Sequence, residues 1–313
     1  MFFGLLADFF NRPRRTAMDI ASTPAAEVLQ SYPGFSMRPL SPALGAEVRG
    51  LDLSKPMPRE ALRAVRQLLY ENCVLLVPGQ SLDEEQQVRF GECFGTLAAT
   101  LGKYASLQKS HPAVMYVTNE KEDGKFVGAL PDGEMYFHSD RCYVEHPCLC
   151  TMLYGIDIPS KGGDTCFANQ YKAYETLPED VKRRIEGLQA VHAYEPGYYS
   201  QNAVMLTRIE PSANALTAVH PMVITHPATG RKALYVNRLM TAYIVGMPRA
   251  ESAELLEWLF DHQEQSRFVY AHRWTPGDVV IWDNRCVNHA RTDFDAGEAR
   301  KLRRVVVETE DAL

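Results

Sequence analysis

The segment MYFHSDRCYVEHP, residues 135–147, decides how this chain is read, because it sets a histidine and a carboxylate two positions apart in a run rich in Tyr, Phe, Cys and Val. Successive side chains of a β-strand alternate between faces, so His138 and Asp140 are expected to point the same way. A neutral imidazole and a carboxylate make a hard-to-borderline ligand pair. One more histidine from a distant strand completes a 2-His-1-carboxylate face, which leaves three positions open on a ferrous ion. Alone, the tripeptide is a weak signal: the chain has nine histidines, and an ordinary buried or hydrogen-bonded His138 beside a turn-capping Asp140 is the simpler explanation.

The context that strengthens the metal reading lies near the C-terminus. WTPGDVVIWDNRCVNHARTDFDAGEARKLRRVVVET, residues 274–309, carries a turn, a strand, a polar corner, His289 and then a cluster of arginines. Short runs of β-branched and aromatic residues at 73–78, 113–118, 233–237, 267–274, 279–282 and 303–309, bounded by Gly, Pro, Asn and Asp, predict strands. Helices are predicted at three places. At 81–95, Ser81 and Glu84 stand in capping-box register; at 176–188, Thr176 and Glu179 repeat the device with Pro178 in the first turn; at 248–265, Leu255, Leu256, Leu259 and Phe260 form an apolar face. With no internal repeat or low-complexity block, the pattern implies a mainly β core with flanking helices.

The 313 residues, 46% hydrophobic and 23% charged, suffice for a sizeable core. A net charge of −6 without a long basic run argues against a nucleic-acid footprint and for a small-molecule partner. Seven cysteines with no CxxC pair indicate neither a disulfide framework nor a zinc knuckle, so a reducing cytoplasm is the default expectation. Residues 1–32 read as an N-terminal extension, with Phe2, Leu5, Leu6 and Phe9 spaced as one helix face that Asp8 interrupts. The stretch is too short to span a bilayer, and its basic residues follow the apolar run, unlike a secretory signal. A packed or oligomer-facing helix, a membrane-surface contact, and a disordered extension or an upstream start with Met18 as the true one are its readings. Residues 33–313 read as one domain.

With these motifs in view, the chain resembles the TauD/TfdA family of iron(II)- and 2-oxoglutarate-dependent dioxygenases over about residues 33 to 309. The resemblance rests on HSD at His138 and Asp140, PSKGGDT at 159–165, HPATGRKALYVN at 226–237, and WxPGD with IWDNRxxxH from Trp274 to His289. It implies a double-stranded β-helix (jelly-roll) core, iron held by His138, Asp140 and His289, and 2-oxoglutarate and dioxygen as co-substrates. It also implies that Arg300 and Thr165 hold the distal carboxylate of 2-oxoglutarate, and that Arg304 serves an anionic substrate. Physical chemistry agrees: a dianion entering a partly dry barrel needs a fixed cation, and a guanidinium matches a carboxylate bidentately. A solvated strand edge is the competing reading of RKLRR, and alternation then lets Arg300, Leu302 and Arg304 share one face while Lys301 and Arg303 share the other. Trp282, Asp283, Asn284 and Arg285 read as a corner that supports His289. His226, before the PATG turn, reads as surface or hairpin structure; His220 and His272 are not preferred as ligands, and His111 and His146, each followed by Pro, read as loop residues.

The implied reaction decarboxylates 2-oxoglutarate to succinate and carbon dioxide and hydroxylates a substrate C–H bond. Asp140 argues against halogenation, which needs a small residue at that position. Taurine is doubtful as substrate: FGTLAATLGKY at 94–104 lacks the expected histidine, Glu134 replaces an asparagine and Phe137 a tryptophan. An apolar wall of Tyr136, Phe137, Tyr143 and Met240, with Arg304 and Arg238, suits an organic anion with a hydrophobic body; core packing and surface ion pairs are the alternative for each residue. Two other functions fit the fold: desaturation, cyclisation or epimerisation by the same metal, and a non-catalytic binding protein. The family commonly forms homo-oligomers, and no membrane association is indicated.

Overall fold

The computed structural model describes residues 25–100, 111–129, 135–194 and 210–309. The apolar face from Phe2 to Phe9 lies outside the described residues, as does Glu134. The chain is mainly β. Its largest sheet has seven strands in the order Ser36–Pro39, Ala46–Arg49, Val74–Val77, Val279–Asp283, Cys148–Asp157, Lys301–Glu308 and Val114–Thr118. A four-stranded antiparallel sheet runs Val269–His272, Thr165–Asn169, Val287–Arg291 and Met135–His138.

Alternation along the central strand shows how the layers stack. Val279 and Ile281 join Leu75, Val77, Met152 and Val307 in a cluster that includes the buried face of helix Arg59–Asn72. Val280 and Trp282 point the opposite way and join Leu76, Leu153, Leu302 and Phe167 of the smaller sheet, with the Trp282 and Phe167 rings 5.3 Å apart. Because both faces are covered, the strand is apolar at every position but the last. The functional residues lie between the two sheets.

Helices form near the expected places, with different caps. Glu84–Glu92 starts two residues later than the Ser81 register implies, because Asp83 and Gln86 make the reciprocal capping box. Glu179–Ile185 begins after Pro178 with no side-chain cap, while Thr176 Oγ1 bonds back to Lys172 O at the end of the preceding helix, Gln170–Glu175. Arg249–Gln263 follows Pro248. Helix Arg59–Asn72, absent from the sequence reading, buries Ala61, Ala64, Val65, Leu68 and Leu69 at helical spacing. Ala25 and Leu29 pack against it, so the folded unit reaches back to residue 25. Among the described residues no helix is long and apolar enough to cross a membrane.

Candidate metal centre and its two compartments

Strand pairing brings the two histidines together. Met135–His138 runs antiparallel to Val287–Arg291 with His138 opposite His289, and the ring centroids lie 4.1 Å apart. Asp140 lies just past the end of its strand, in a turn, so alternation is not what aims it. Hydrogen bonds do that: Trp282 Nε1 donates to Asn284 Oδ1 at 3.0 Å, Asn284 Nδ2 to Thr151 Oγ1 at 2.9 Å, and Thr151 Oγ1 to Asp140 Oδ2 at 2.6 Å. The WDNR corner therefore supports Asp140 through Asn284, while Asp283 binds Arg285 and His226 behind it.

One ligand atom from each of His138, Asp140 and His289 falls within 4.8 Å of the others, and all three residues are buried. Each Nε2 stands 3.9 Å from an Asp140 oxygen. His138 Nδ1 donates to Tyr136 O at 2.9 Å, a bond that puts the proton on Nδ1 and turns the Nε2 lone pair to the site. Burial lowers the pKa of His138 against the pull of Asp140, and burial together with His138 lowers that of His289 further. Both rings are therefore neutral, as metal ligation requires. Burial alone would raise Asp140, but Arg304, with Nη2 2.6 Å from Oδ1, and the hydrogen bond from Thr151 hold the carboxyl well below the usual range. Two neutral imidazoles and an ionised carboxylate on one side of a cavity fit a ferrous ion with open positions.

Behind the triad a narrow compartment is lined by Thr165, Trp282, Arg291, Arg300, Leu302 and Arg304. Arg300 is 3% exposed, and its Nε and Nη2 both donate to Gly163 O, at 3.1 and 3.0 Å. The GGDT turn permits this contact: Gly163 has φ +68, and a Cβ there would stand 2.9 Å from Arg300 Nε. Burial and the neighbouring Arg291 push Arg300 down to about 9, against Asp164, so it stays charged at neutral pH. Thr165 Oγ1 accepts from Trp274 Nε1 at 3.0 Å, which leaves the hydroxyl proton to donate elsewhere. Arg291, which the sequence reading overlooked, is the cross-strand partner of Thr165. The signal for it was available: two residues past His289, it shares that histidine's face. Arg291, Arg300 and Arg304 thus line this compartment together with Asp140.

On the other side of Asp140 a wider compartment is lined by Ala98, Ala113, Met115, Tyr143, Met240 and Arg304 among others. Of the expected substrate contacts, Tyr143, Met240 and Arg304 line it. Tyr136 and Phe137 do not: the pairing shifts between His289 and Arg291, which turns Met135 and His138 to the cavity and the intervening pair away. Arg238 is also elsewhere, its Nε 2.9 Å from Glu264 and its Nη2 2.7 Å from Asp261. The opposite face of the arginine strand is not solvated, since Arg303 is buried against Gln87, Leu82 and Asp83 of the helix 84–92 region. His226 is fully buried, 3.0 Å from Asp283, and not a surface residue. His220 meets Val144 O and His272 meets Asp278, so neither reaches the triad.

The profile described as "Taurine catabolism dioxygenase TauD, TfdA family" matches residues 36–306. The chain belongs to this family. It is 34% identical over 284 residues to the alpha-ketoglutarate-dependent 2,4-dichlorophenoxyacetate dioxygenase of Cupriavidus pinatubonensis, covering 85% of this chain and 95% of that one. Among solved structures, a taurine dioxygenase from Burkholderia xenovorans superposes with a TM-score of 0.75 at 28% identity, over 90% of this chain and 91% of the other. AAD-2, solved in complex with Mn(II) and N-oxalylglycine, gives 0.71 at 26% identity over 89% and 98%. This TauD/TfdA member is a 2-oxoglutarate-dependent dioxygenase that uses Fe(II). Family membership and an intact triad close the non-catalytic reading.

When bound, the ferrous ion supplies dioxygen activation and C–H oxidation. The protein's residues hold and place the reactants. His138, Asp140 and His289 offer one face of ligands; Thr151 and Asn284 keep Asp140 from rotating; Arg300 lines the compartment behind them beside the apolar Leu302 and Trp282.

Proposed function

We propose that this enzyme hydroxylates a small organic anion with a bulky apolar body, such as an aryl-alkanoate, and decarboxylates 2-oxoglutarate in the same turnover. The observation that carries this reading is the composition of the wider compartment, where Arg304 stands among alanines, methionines and tyrosines. Small Ala98, Ala113 and Ala129 leave width for a ring, and Met115 and Met240 offer adaptable apolar surface to it. The relative that acts on 2,4-dichlorophenoxyacetate supports this class over taurine. In this reading His138, Asp140 and His289 bind iron, Thr165 and Arg300 bind the distal carboxylate of 2-oxoglutarate, and Arg304 lies between Asp140 and the substrate.

We further read the two facing sheets as a double-stranded β-helix. What supports this is the path of the chain, which passes from Met135–His138 in the small sheet to Cys148–Asp157 in the large one and back to Thr165–Asn169, then repeats the alternation from Val269–His272 to Lys301–Glu308.

The test is succinate release from the iron-loaded enzyme with phenoxyacetate or taurine. Stimulation by phenoxyacetate well above the substrate-free rate is expected. Stimulation by taurine alone would overturn the substrate class.

A further inference from the structure

Arg141 directly follows the metal carboxylate and has φ +55, in the left-handed region where a non-glycine side chain crowds its own backbone. Backbone held in that region is retained where the surrounding structure has a use for it. Here the turn is closed by Val144 N donating to Arg141 O at 3.2 Å, and Arg141 lines the wide compartment together with Arg304. Both guanidiniums are close enough to Tyr143 and Cys148 to act on them electrostatically.

The two arginines are held differently. Arg304 lies 2.6 Å from Asp140, and Asp140 is itself fixed by Thr151, so that charge is matched by a carboxylate that cannot leave. Arg141 Nη2 is 3.2 Å from Glu308 Oε1, Nη1 reaches Ala99 O only at 3.5 Å, and Nε is buried with no hydrogen-bond partner among the described residues. The Glu308 side chain is 38% exposed, so it can turn into water at little desolvation cost. A guanidinium with a buried, unused donor and a loosely held counter-ion is the feature of this compartment best matched to an incoming carboxylate.

We infer that Arg141 anchors the anionic group of the substrate and that Glu308 is its resident counter-ion, displaced on binding. The inference rests on the reading of the wide compartment as the site of an anionic substrate. Exchange of one carboxylate for another keeps the charge of the compartment constant, so the substrate enters without leaving a buried charge unpaired. The ligand class is a monocarboxylate whose apolar body faces Ala98, Ala113 and Met240.

The test is binding of phenoxyacetate and of its neutral isostere phenoxyacetamide to the anaerobic enzyme carrying Fe(II) and 2-oxoglutarate, read from the shift of the visible charge-transfer band. Wild type is expected to prefer the acid by at least about 30-fold, roughly what one charge-assisted pair provides. Arg141→Gln removes most of that preference, Arg141→Lys restores part of it, and Glu308→Gln tightens the acid several-fold. Because the comparison is between two ligands on the same variant, a general loss of folding does not imitate the result. If Arg141→Gln keeps the preference while Arg304→Gln loses it, the compartment takes an anion through Arg304 and the role of Arg141 is overturned alone. If wild type does not distinguish acid from amide, the anionic-substrate reading falls and the Arg141 assignment with it.

Discussion

The two compartments on either side of Asp140 are built from different materials. The narrow one is built mostly on strands: Thr165 lies opposite Arg291 in the ladder, and Arg300, one residue before its strand, is laid against the backbone of Gly163. The wide one takes much of its wall from turns and segment ends, including Ala98, Arg141 and Leu239, around a mostly apolar space. The difference teaches which groups the fold pins in place and which it leaves open to exchange. A group fixed by ladder hydrogen bonds and buried on both sides is hard to move, whereas a turn residue can be exchanged without disturbing the sheet.

The comparison breaks most visibly at Asp140, which lines both sides. Asp140→Ala removes one metal ligand and leaves Arg304 buried without its carboxylate. Mn(II) affinity, followed by electron paramagnetic resonance, should fall by more than about 100-fold, and stability should drop by roughly 3–5 kcal/mol in denaturant unfolding. Retained Mn(II) binding would mean that the triad is not the metal site.

Next in size is the narrow side. Arg300→Ala should weaken 2-oxoglutarate by about 3 kcal/mol, or over 100-fold, in an anaerobic titration that follows the charge-transfer band, with a much smaller change in metal affinity. Equal losses of both would erase the distinction between cosubstrate and metal sites. Thr165→Val removes one neutral donor, and its cost should be about 1 kcal/mol, or roughly fivefold in 2-oxoglutarate affinity. A loss as large as that of Arg300→Ala would mean instead that Trp274, bonded to Thr165, is displaced.

The smallest effect sharpens the wide side by exclusion. Arg238→Ala should leave substrate affinity unchanged and cost about 1 kcal/mol of stability, because Arg238 binds Glu264 and Asp261 away from the cavity. Burial already raises Glu264 to about 7 against the pull of Arg238. An acid whose folded pKa lies above its unfolded value contributes stability that is lost as pH rises through that interval, and removal of Arg238 raises the folded value further. Melting temperatures should therefore differ more between variant and wild type at pH 8 than at pH 6.

Much was legible in the residues alone. The alternation of 279–282, the apolar face of 248–265 and the shared face of Arg300, Leu302 and Arg304 are local periodicities, and a strand or helix displays them whatever packs around it. The resemblance marked His138, Asp140 and His289 as ligands because their spacing is carried by motifs. Arg291 was equally legible from the i+2 rule, although it lies just past the motif that ends at His289.

Only the tertiary structure decided the rest. It buried both faces of the arginine strand by laying helix Glu84–Glu92 over it, and it sank His226 against Asp283 although its own sequence reads as a hairpin end. Asp140 is aimed by Thr151 and Asn284, 11 and 144 positions away, rather than by its own strand. Tyr136, Phe137 and Arg238 left the cavity for the same kind of reason, a shift in strand register and ion pairs with partners 23 and 26 residues distant. Periodicity is a property of neighbours along the chain and can be read from them, whereas burial and hydrogen-bond partnership depend on which distant segment arrives, and that is settled only when the sheets and helices pack.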